Sequence, residues 1–457
     1  MRCNLRETML KLDRPVPRYT SYPTAPHFQP LEDEQLYPQM LSRLPERSRL
    51  SLYLHVPFCP KMCWYCGCHT KITQRYGPVE DYAHLMIREI EILADALGDK
   101  GQRISHIHFG GGSPGMLRAR DFDLVMSRIR KSFTIEETAE IAIEIDPREL
   151  TEGRVQAYAD NGVNRISLGV QDFNDNVLEA VNRPQPFELS EKAVALFRGR
   201  GVDRVNMDLL YGLPHQTPET MKATIEKVIA LDPDRVALFG YAHVPWMKKH
   251  MRLIDEGALP DKTMRFDLFE SGALALEQAG YFPVGIDHFA KGNDPLVQAA
   301  KEGRLRRNFQ GYTDDAADAL IGVGASSIGF LPGGYVQNAV DMPLYREQIL
   351  ASKLTAAKYC PISAEDALRA DVIERLMCDF GVDVGGLCAR HGFEQEHLDV
   401  EIAALEPYKG LDFVQMEGRV LTMNPKARMM VRIVASVFDA YIPNADTPVP
   451  QRHSKAI

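Results

Sequence analysis

The sequence predicts an α/β chain built on a partial, open (β/α)6 barrel, with an N-terminal arm and a small, mostly helical C-terminal domain. Three observations predict it. Six short β-rich runs, at 52–56, 104–109, 141–145, 165–170, 205–210 and 236–239, end in polar or glycine-rich turns, and most lead into a helical stretch. Strand and helix in alternation imply a parallel sheet, and six such units fall short of the eight that close a barrel. Near residue 355 this rhythm stops. The expected units are an arm over 1–47, the partial barrel with its extension over 48–355, and the C-terminal domain over 356–457.

Each unit has its own warrant. Tyr82, Leu85, Met86, Ile90, Leu93 and Leu97 recur at i, i+3/i+4, with Pro78 near the start and Gly98 as a stop, so a helix follows the first run. Alternation sorts the strand faces. Ile141, Ile143 and Ile145 oppose Ala142 and Glu144; Ile166, Leu168 and Val170 oppose Ser167 and Gly169, whose face continues to Gln171. Val205, Met207 and Leu209 oppose Asn206 and Asp208, and Leu52, Leu54 and Val56 oppose Tyr53 and His55. The apolar faces suit helix packing. The small or polar faces recur on several strands, which favours a wet cavity over a packed barrel core. Each strand also carries polar residues toward its C-terminal end, where barrel sites sit.

In the C-terminal part, Ser363 and Asp366 have capping-box spacing ahead of a helix expected through about Met377. Gly418 separates two β-like runs within 411–423, a hairpin, and a last helix follows Asn424-Pro425. A winged helix would bring DNA to mind, but no basic recognition helix is evident, so a substrate lid or packing domain is expected.

The 457 residues are 45% hydrophobic and 25% charged, and carry a net charge of −9. That balance argues against a nucleic-acid partner. It also means that an anionic substrate needs a local basic patch. No apolar run approaches the ~20 residues of a membrane span, and Met1-Arg2-Cys3-Asn4-Leu5-Arg6 lacks a signal peptide's apolar core. The expectation is a cytoplasmic protein without a membrane partner, acting as a monomer.

The chemistry is concentrated at Cys59, Cys63, Cys66 and Cys68. The first three follow Cys-x3-Cys-x2-Cys. Three close thiolates suit three corners of an iron–sulfur cube and leave one iron open to a substrate or cofactor. Structural zinc usually draws on two separated pairs, and a disulfide framework does not suit a chain this long with 8 cysteines. Cys3, Cys360, Cys378 and Cys388 read as small apolar residues. Gly110-Gly111-Gly112 has neither a dinucleotide nor a P-loop spacing. Beside three thiolates it offers a bare backbone edge whose carbonyls could meet a cofactor ammonium.

These cysteines resemble the signature of the radical S-adenosylmethionine (SAM) superfamily. Further stretches resemble its oxygen-independent coproporphyrinogen III oxidase family: 17–24 (PRYTSYPT), Cys68, 144–148 (EIDPR), 181–183 (VNR), 285–289 (GIDHF) and 307–312 (RNFQGY). The resemblance implies that Cys59, Cys63 and Cys66 ligate a [4Fe–4S] cluster and that two S-adenosyl-L-methionine molecules bind. Tyr53, Gly111 and Glu144 would contact the first. Tyr65, Gly112, Ser113, Gln171, Arg183, Asp208, Ala242 and Ile328 would contact the second. Cys68 and Tyr53 would be catalytic, with Cys68 as a spare fourth ligand the alternative. At Ser113 the family often has threonine; the hydroxyl survives. The implied substrate is coproporphyrinogen III, with a reducing donor such as flavodoxin or ferredoxin and a separate terminal electron acceptor. Since the protein is net acidic, local cations must offset the substrate's propionates; Arg18, Arg306 and Arg307 are the candidates, because guanidinium forks match carboxylates, with solvated surface charges the alternative reading of each. The rival readings are a haem chaperone, in which phenylalanine generally replaces Cys68, a haem ring-opening relative, and a plain iron–sulfur electron carrier.

Overall fold

The computed structural model describes residues 5–442. All six expected strands are present, most of them longer than their apolar runs: β1 (Arg49–Val56), β2 (Arg103–Gly111), β3 (Thr134–Ile145), β4 (Arg165–Gln171), β5 (Arg204–Tyr211) and β6 (Arg235–Gly240). They pair in sequence order, each parallel to the next. Helices Gly77–Leu97, Ala119–Ser132, Glu152–Asp160, Phe187–Arg198, Pro218–Ala230 and Lys262–Gln278 separate or follow them. Leu52, Leu54, Ile143, Leu168, Val205 and Met207 are buried and join one apolar core with Met86, Ile90 and Leu93 of the first of these helices.

The sheet is larger than the six-unit reading. A seventh parallel strand, β7 (Ala319–Val323), lies beside β1, and three antiparallel strands, Ile328–Leu331, Gly334–Asn338 and Ala356–Pro361, continue outward from it. Gln29–Pro30 of the arm forms that outer edge, and Phe282–Val284 forms the other. The two edges do not meet, so the barrel stays open. β7 has only five residues, includes Gly322 and leads into further strands, so it lacks the strand–helix rhythm that marked the other six.

The extension is fastened to the first barrel helix through Glu89, which is 1% exposed. Its carboxylate accepts from the Gly324 N–H at 2.6 Å, Asn338 Nδ2 at 2.7 Å, Tyr345 Oη at 2.7 Å and Thr355 Oγ1 at 2.5 Å. Burial nevertheless pushes the carboxyl above its ordinary range. Glu89→Ala would orphan these buried donors. It is expected to lower stability by about 3 kcal/mol or more, measured by denaturant unfolding, with Glu89→Gln milder.

The C-terminal elements match their reading. Ser363 and Asp366 form the capping box of helix Ala364–Asp379. The hairpin is Val414–Glu417 with Val420–Met423, turning at Gly418 (φ +61°), and Gly381–Asp383 adds a third strand. After Asn424 the chain first makes a 3-10 turn, Pro425–Met430, and then the helix Val431–Ala435. The arm packs here. Tyr19 and Tyr22 share an apolar cluster with Leu368, Leu376, Val434 and Phe438. Arg432 Nε donates to the Pro17 carbonyl at 3.0 Å, Tyr19 Oη to Asp439 at 3.0 Å, and the Ala440 N–H to Tyr22 Oη at 2.9 Å. Among the described residues, no helix is long and apolar enough to cross a membrane. Cys3 lies outside the described residues.

Candidate active site

The cysteine loop leaves the C-terminal end of β1 and is held from several sides. Phe58–Cys59 pairs with Lys71–Ile72. The Trp64 N–H donates to the Val181 carbonyl at 3.0 Å, and Asn182 Nδ2 to the Met62 carbonyl at 2.7 Å. From the loop after β6, His250 Nε2 meets the Cys66 carbonyl at 2.8 Å and Lys248 Nζ the Cys68 carbonyl at 3.0 Å. All four cysteines line one cavity of about 680 Å³ at the C-terminal ends of the parallel strands. Among the described residues, no group of three His, Cys, Asp or Glu side chains is placed to hold a single metal ion.

The surroundings treat the thiols unequally. Arg148 Nη2 and Arg183 Nη1 each lie 3.5 Å from Cys63 Sγ. Asp146 steadies both, at 2.6 Å from Arg148 and 3.4 Å from Arg183. The Cys68 thiol, by its hydrogen bond, pulls Cys66 down to about 6 against the opposing effect of burial, with Cys68's backbone, His250 and Lys248 assisting. Burial, reinforced by Cys66, pushes Cys59 up to about 12. Three thiols from one loop, with two guanidiniums on the middle one, fit an anionic iron–sulfur cube, which Cys59, Cys63 and Cys66 would hold.

On the strand side, Glu144 accepts the Gly111 N–H at 3.1 Å and meets His108 Nε2 at 3.1 Å. Burial pushes its carboxyl up, but His108 and the Gly111 N–H outweigh this and hold it below the ordinary value. The glycine run is needed for close approach. Gly111 has φ +115°, and a Cβ there would sit 2.6 Å from the His55 ring. A Cβ on Gly112 would sit 2.8 Å from the Phe58 carbonyl oxygen. Asp208 accepts from Ser167 Oγ at 2.9 Å; burial, then the Glu144 charge, raise its carboxyl to about 6. Arg183 Nη2 donates to the Gly169 carbonyl at 2.6 Å, and its Nε is buried without a partner.

Of the residues expected at the site, Tyr65, Gly111, Gly112, Glu144, Gln171, Arg183, Asp208 and Ala242 line this cavity with the cysteines. Tyr53, Ser113 and Ile328 do not. Tyr53 is half-buried on the polar strand face, its hydroxyl 3.1 Å from His55 Nδ1 and its ring stacked on His108 at 5.8 Å. Ser113 is buried, with its Oγ unpartnered. Ile328 begins the antiparallel strand beyond β7. Arg18 and Arg307 line the cavity, whereas Arg306 pairs with Glu374 at 2.7 Å and does not. Sequence reasoning assigned no role to His108 or Arg148. The Asp146-Pro147-Arg148 turn, where Asp146 caps a 3-10 turn, held the signal for Arg148.

Thiols on one loop, facing carboxylates, a glycine edge and polar strand ends define a radical SAM site, and residues 53–228 match the Radical SAM superfamily. The chain is 47% identical over 442 residues to the oxygen-independent coproporphyrinogen III oxidase of Bradyrhizobium diazoefficiens, covering 97% of each. It is 43% identical over 429 residues to that of Paracoccus denitrificans, covering 94% of this chain and 95% of the relative. The solved coproporphyrinogen III oxidase of Escherichia coli, a radical SAM enzyme, superposes with a TM-score of 0.88 at 34% identity, over 94% of this chain and 100% of that one. The chain belongs to the oxygen-independent coproporphyrinogen III oxidase family.

Proposed function

We propose that this chain oxidatively decarboxylates two propionates of coproporphyrinogen III to vinyl groups, giving protoporphyrinogen IX for haem synthesis without oxygen. The observation that carries the reading is the cavity itself: four cysteines, Glu144, Asp208 and six arginines, Arg148 and Arg183 among them, line it in a chain similar to this family along nearly its whole length. A propionate β-carbon holds a C–H bond that no side-chain base can break. A [4Fe–4S] cluster with S-adenosylmethionine, reduced by one electron and held at the three thiols, would supply the hydrogen-atom abstraction that this bond requires. Carbon dioxide then leaves, a vinyl group remains, and one electron passes to a separate acceptor.

In this reading Cys59, Cys63 and Cys66 hold the cluster, with Arg148 and Arg183 easing its negative charge. Glu144 and Asp208 accept from ammonium or ribose hydroxyls, and the Gly111 edge lets the cofactor approach the backbone. The breadth of the lining, from Tyr65 through Gln171 and Arg183 to Ala242, supports a second S-adenosylmethionine in the same space. Tyr53, half-buried beside this set, would contact the first S-adenosylmethionine, and its ring stacks on His108, which meets Glu144. A small acidic donor such as flavodoxin or ferredoxin suits the cysteine-loop face. Segments 57–76 and 241–254 bring Lys61, Lys71, Arg75, Lys248, Lys249 and Arg252 there and no carboxylate, in a protein of net charge −9.

An anaerobic assay of the reconstituted protein with coproporphyrinogen III, S-adenosylmethionine and a reductant tests the function. Protoporphyrinogen IX is the expected product. S-adenosylmethionine cleavage with the porphyrinogen untouched would overturn the reading. A pH dependence follows as well. Asp208 has its carboxyl raised to about 6, so protonation below that value removes its accepting charge. S-adenosylmethionine affinity is expected to fall as the pH drops through about 6 and to level off above it; Asp208→Asn should abolish the inflection in a binding titration. The ordinary value of 3.8 lies below the folded one of about 6, so this group costs the fold stability progressively as the pH climbs from 3.8 to about 6, and no further above it.

A further inference from the structure

Beside the large cavity lies a smaller one of about 330 Å³. Four separate segments send guanidiniums to it: Arg18 from the arm, Arg265 from helix Lys262–Gln278, Arg307 from strand Arg306–Asn308 and Arg432 from helix Val431–Ala435. Asp287 is the one carboxylate in its described lining, and it is already held by His288 Nδ1 at 2.7 Å. Arg265 and Arg432 have partners of their own and form positive walls. Burial, then the charges of Arg18 and Arg307, pull Arg432 down to about 10.

Arg18 and Arg307 are differently placed. Arg307 lies over the Tyr312 ring at 4.5 Å and donates through Nε to the Arg18 carbonyl at 3.3 Å. Its Nη1 is buried with no partner. Arg18 uses Nη2 on the Gly240 carbonyl at 3.1 Å. Both also line the larger cavity, as do Ala242 and Asp287, so the two spaces adjoin. A buried, unsatisfied guanidinium nitrogen among further cations calls for an anion with two acceptor oxygens.

We infer that this side cavity binds carboxylate arms of the substrate, the propionates that are not reacting, with Arg18 and Arg307 as the ligating forks. The inference rests on the porphyrinogen reading above. The macrocycle lies where the two cavities adjoin, and its arms enter the smaller one. The arrangement holds the ring by groups that the reaction leaves unchanged, so the grip persists through both decarboxylations.

The test uses the reconstituted holoenzyme and coproporphyrin III, the air-stable oxidised ring with the same four carboxylates, followed by its absorbance and fluorescence. Arg307→Gln and Arg18→Gln are each expected to weaken porphyrin binding by about 30-fold. Arg307→Lys should lose part of that, because the charge remains without the fork. Arg306→Gln should bind as the wild type does, since Arg306 is committed to Glu374. S-adenosylmethionine affinity, measured on each variant, should stay unchanged, which also reports an intact fold. If Arg307→Gln fails to fold, Arg18→Gln and Arg307→Lys decide. Wild-type porphyrin affinity in both Gln variants would overturn the inference. So would a loss in S-adenosylmethionine affinity instead, which would assign the pocket to the cofactor's carboxylate, or an equal loss in Arg306→Gln. Turnover of coproporphyrinogen III by the wild type is scored separately. Arginine-dependent porphyrin binding without turnover sinks the oxidase reading and keeps the pocket; turnover indifferent to the arginines does the reverse.

Discussion

Alanine at Cys59, Cys63 or Cys66 is expected to abolish cluster assembly, whereas Cys68→Ala keeps the cluster and lowers turnover by about a hundredfold or more. The two classes differ in position. Cys59, Cys63 and Cys66 are half-buried or buried on the loop, while Cys68 is exposed at its end. Cys63 is the middle thiol and has two arginine contacts at 3.5 Å, so its loss also leaves Arg148 and Arg183 facing each other across the site. Cys68 is anchored by its backbone carbonyl through Lys248; its side chain can go without releasing the loop. Its thiol lines the cavity, where it can hand a proton or hydrogen to a reacting group. Iron and sulfide content, with the absorbance and electron paramagnetic resonance of each variant, checks this. A Cys68→Ala protein that cannot hold iron would make Cys68 a fourth ligand and end the three-thiol reading.

The second large effect is expected at Glu144. Its carboxylate is tied to the Gly111 N–H and His108, so it holds the glycine edge in place while offering remaining acceptor capacity to the cofactor. Alanine removes both functions at once. S-adenosylmethionine cleavage should fall by roughly a hundredfold, with cluster content and unfolding midpoint near wild type. Glu144→Gln should recover the backbone contact but not the charge, and fall between. Rapid-quench measurement of 5′-deoxyadenosine separates the cases. Wild-type cleavage in Glu144→Ala would leave this carboxylate a purely structural group.

The sequence made the first six strands legible because each apolar face repeats every second residue and each polar face ends at the same edge. That same alternation brought Glu144, Ser167 and Asp208 to one cavity. It could not show β7, whose five residues include a glycine and lack a following helix. Arg265 and Arg432 were invisible for a related reason: a single basic residue on a helix has no pattern, and only the fold decides which cations converge. Arg306 and Arg307 are a sharper case. Neighbours on a strand point opposite ways, so one of the pair had to turn outward. Choosing which required knowing where Glu374 stands. Ser113 is buried and Tyr53 stacks on His108, so neither lines the cavity of this structure; motif position fixes a residue's place in the chain, not the side chain's contacts.

The arm that carries Arg18 is stitched to the far end of the chain. The Tyr19–Asp439 and Arg432–Pro17 hydrogen bonds join residues 420 and 415 positions apart. During synthesis, therefore, the six strands and the cysteine loop leave the ribosome well before the residues against which the arm rests. The wall that carries Arg18 is completed only when nearly the last described residues, Arg432 and Asp439 among them, are in place.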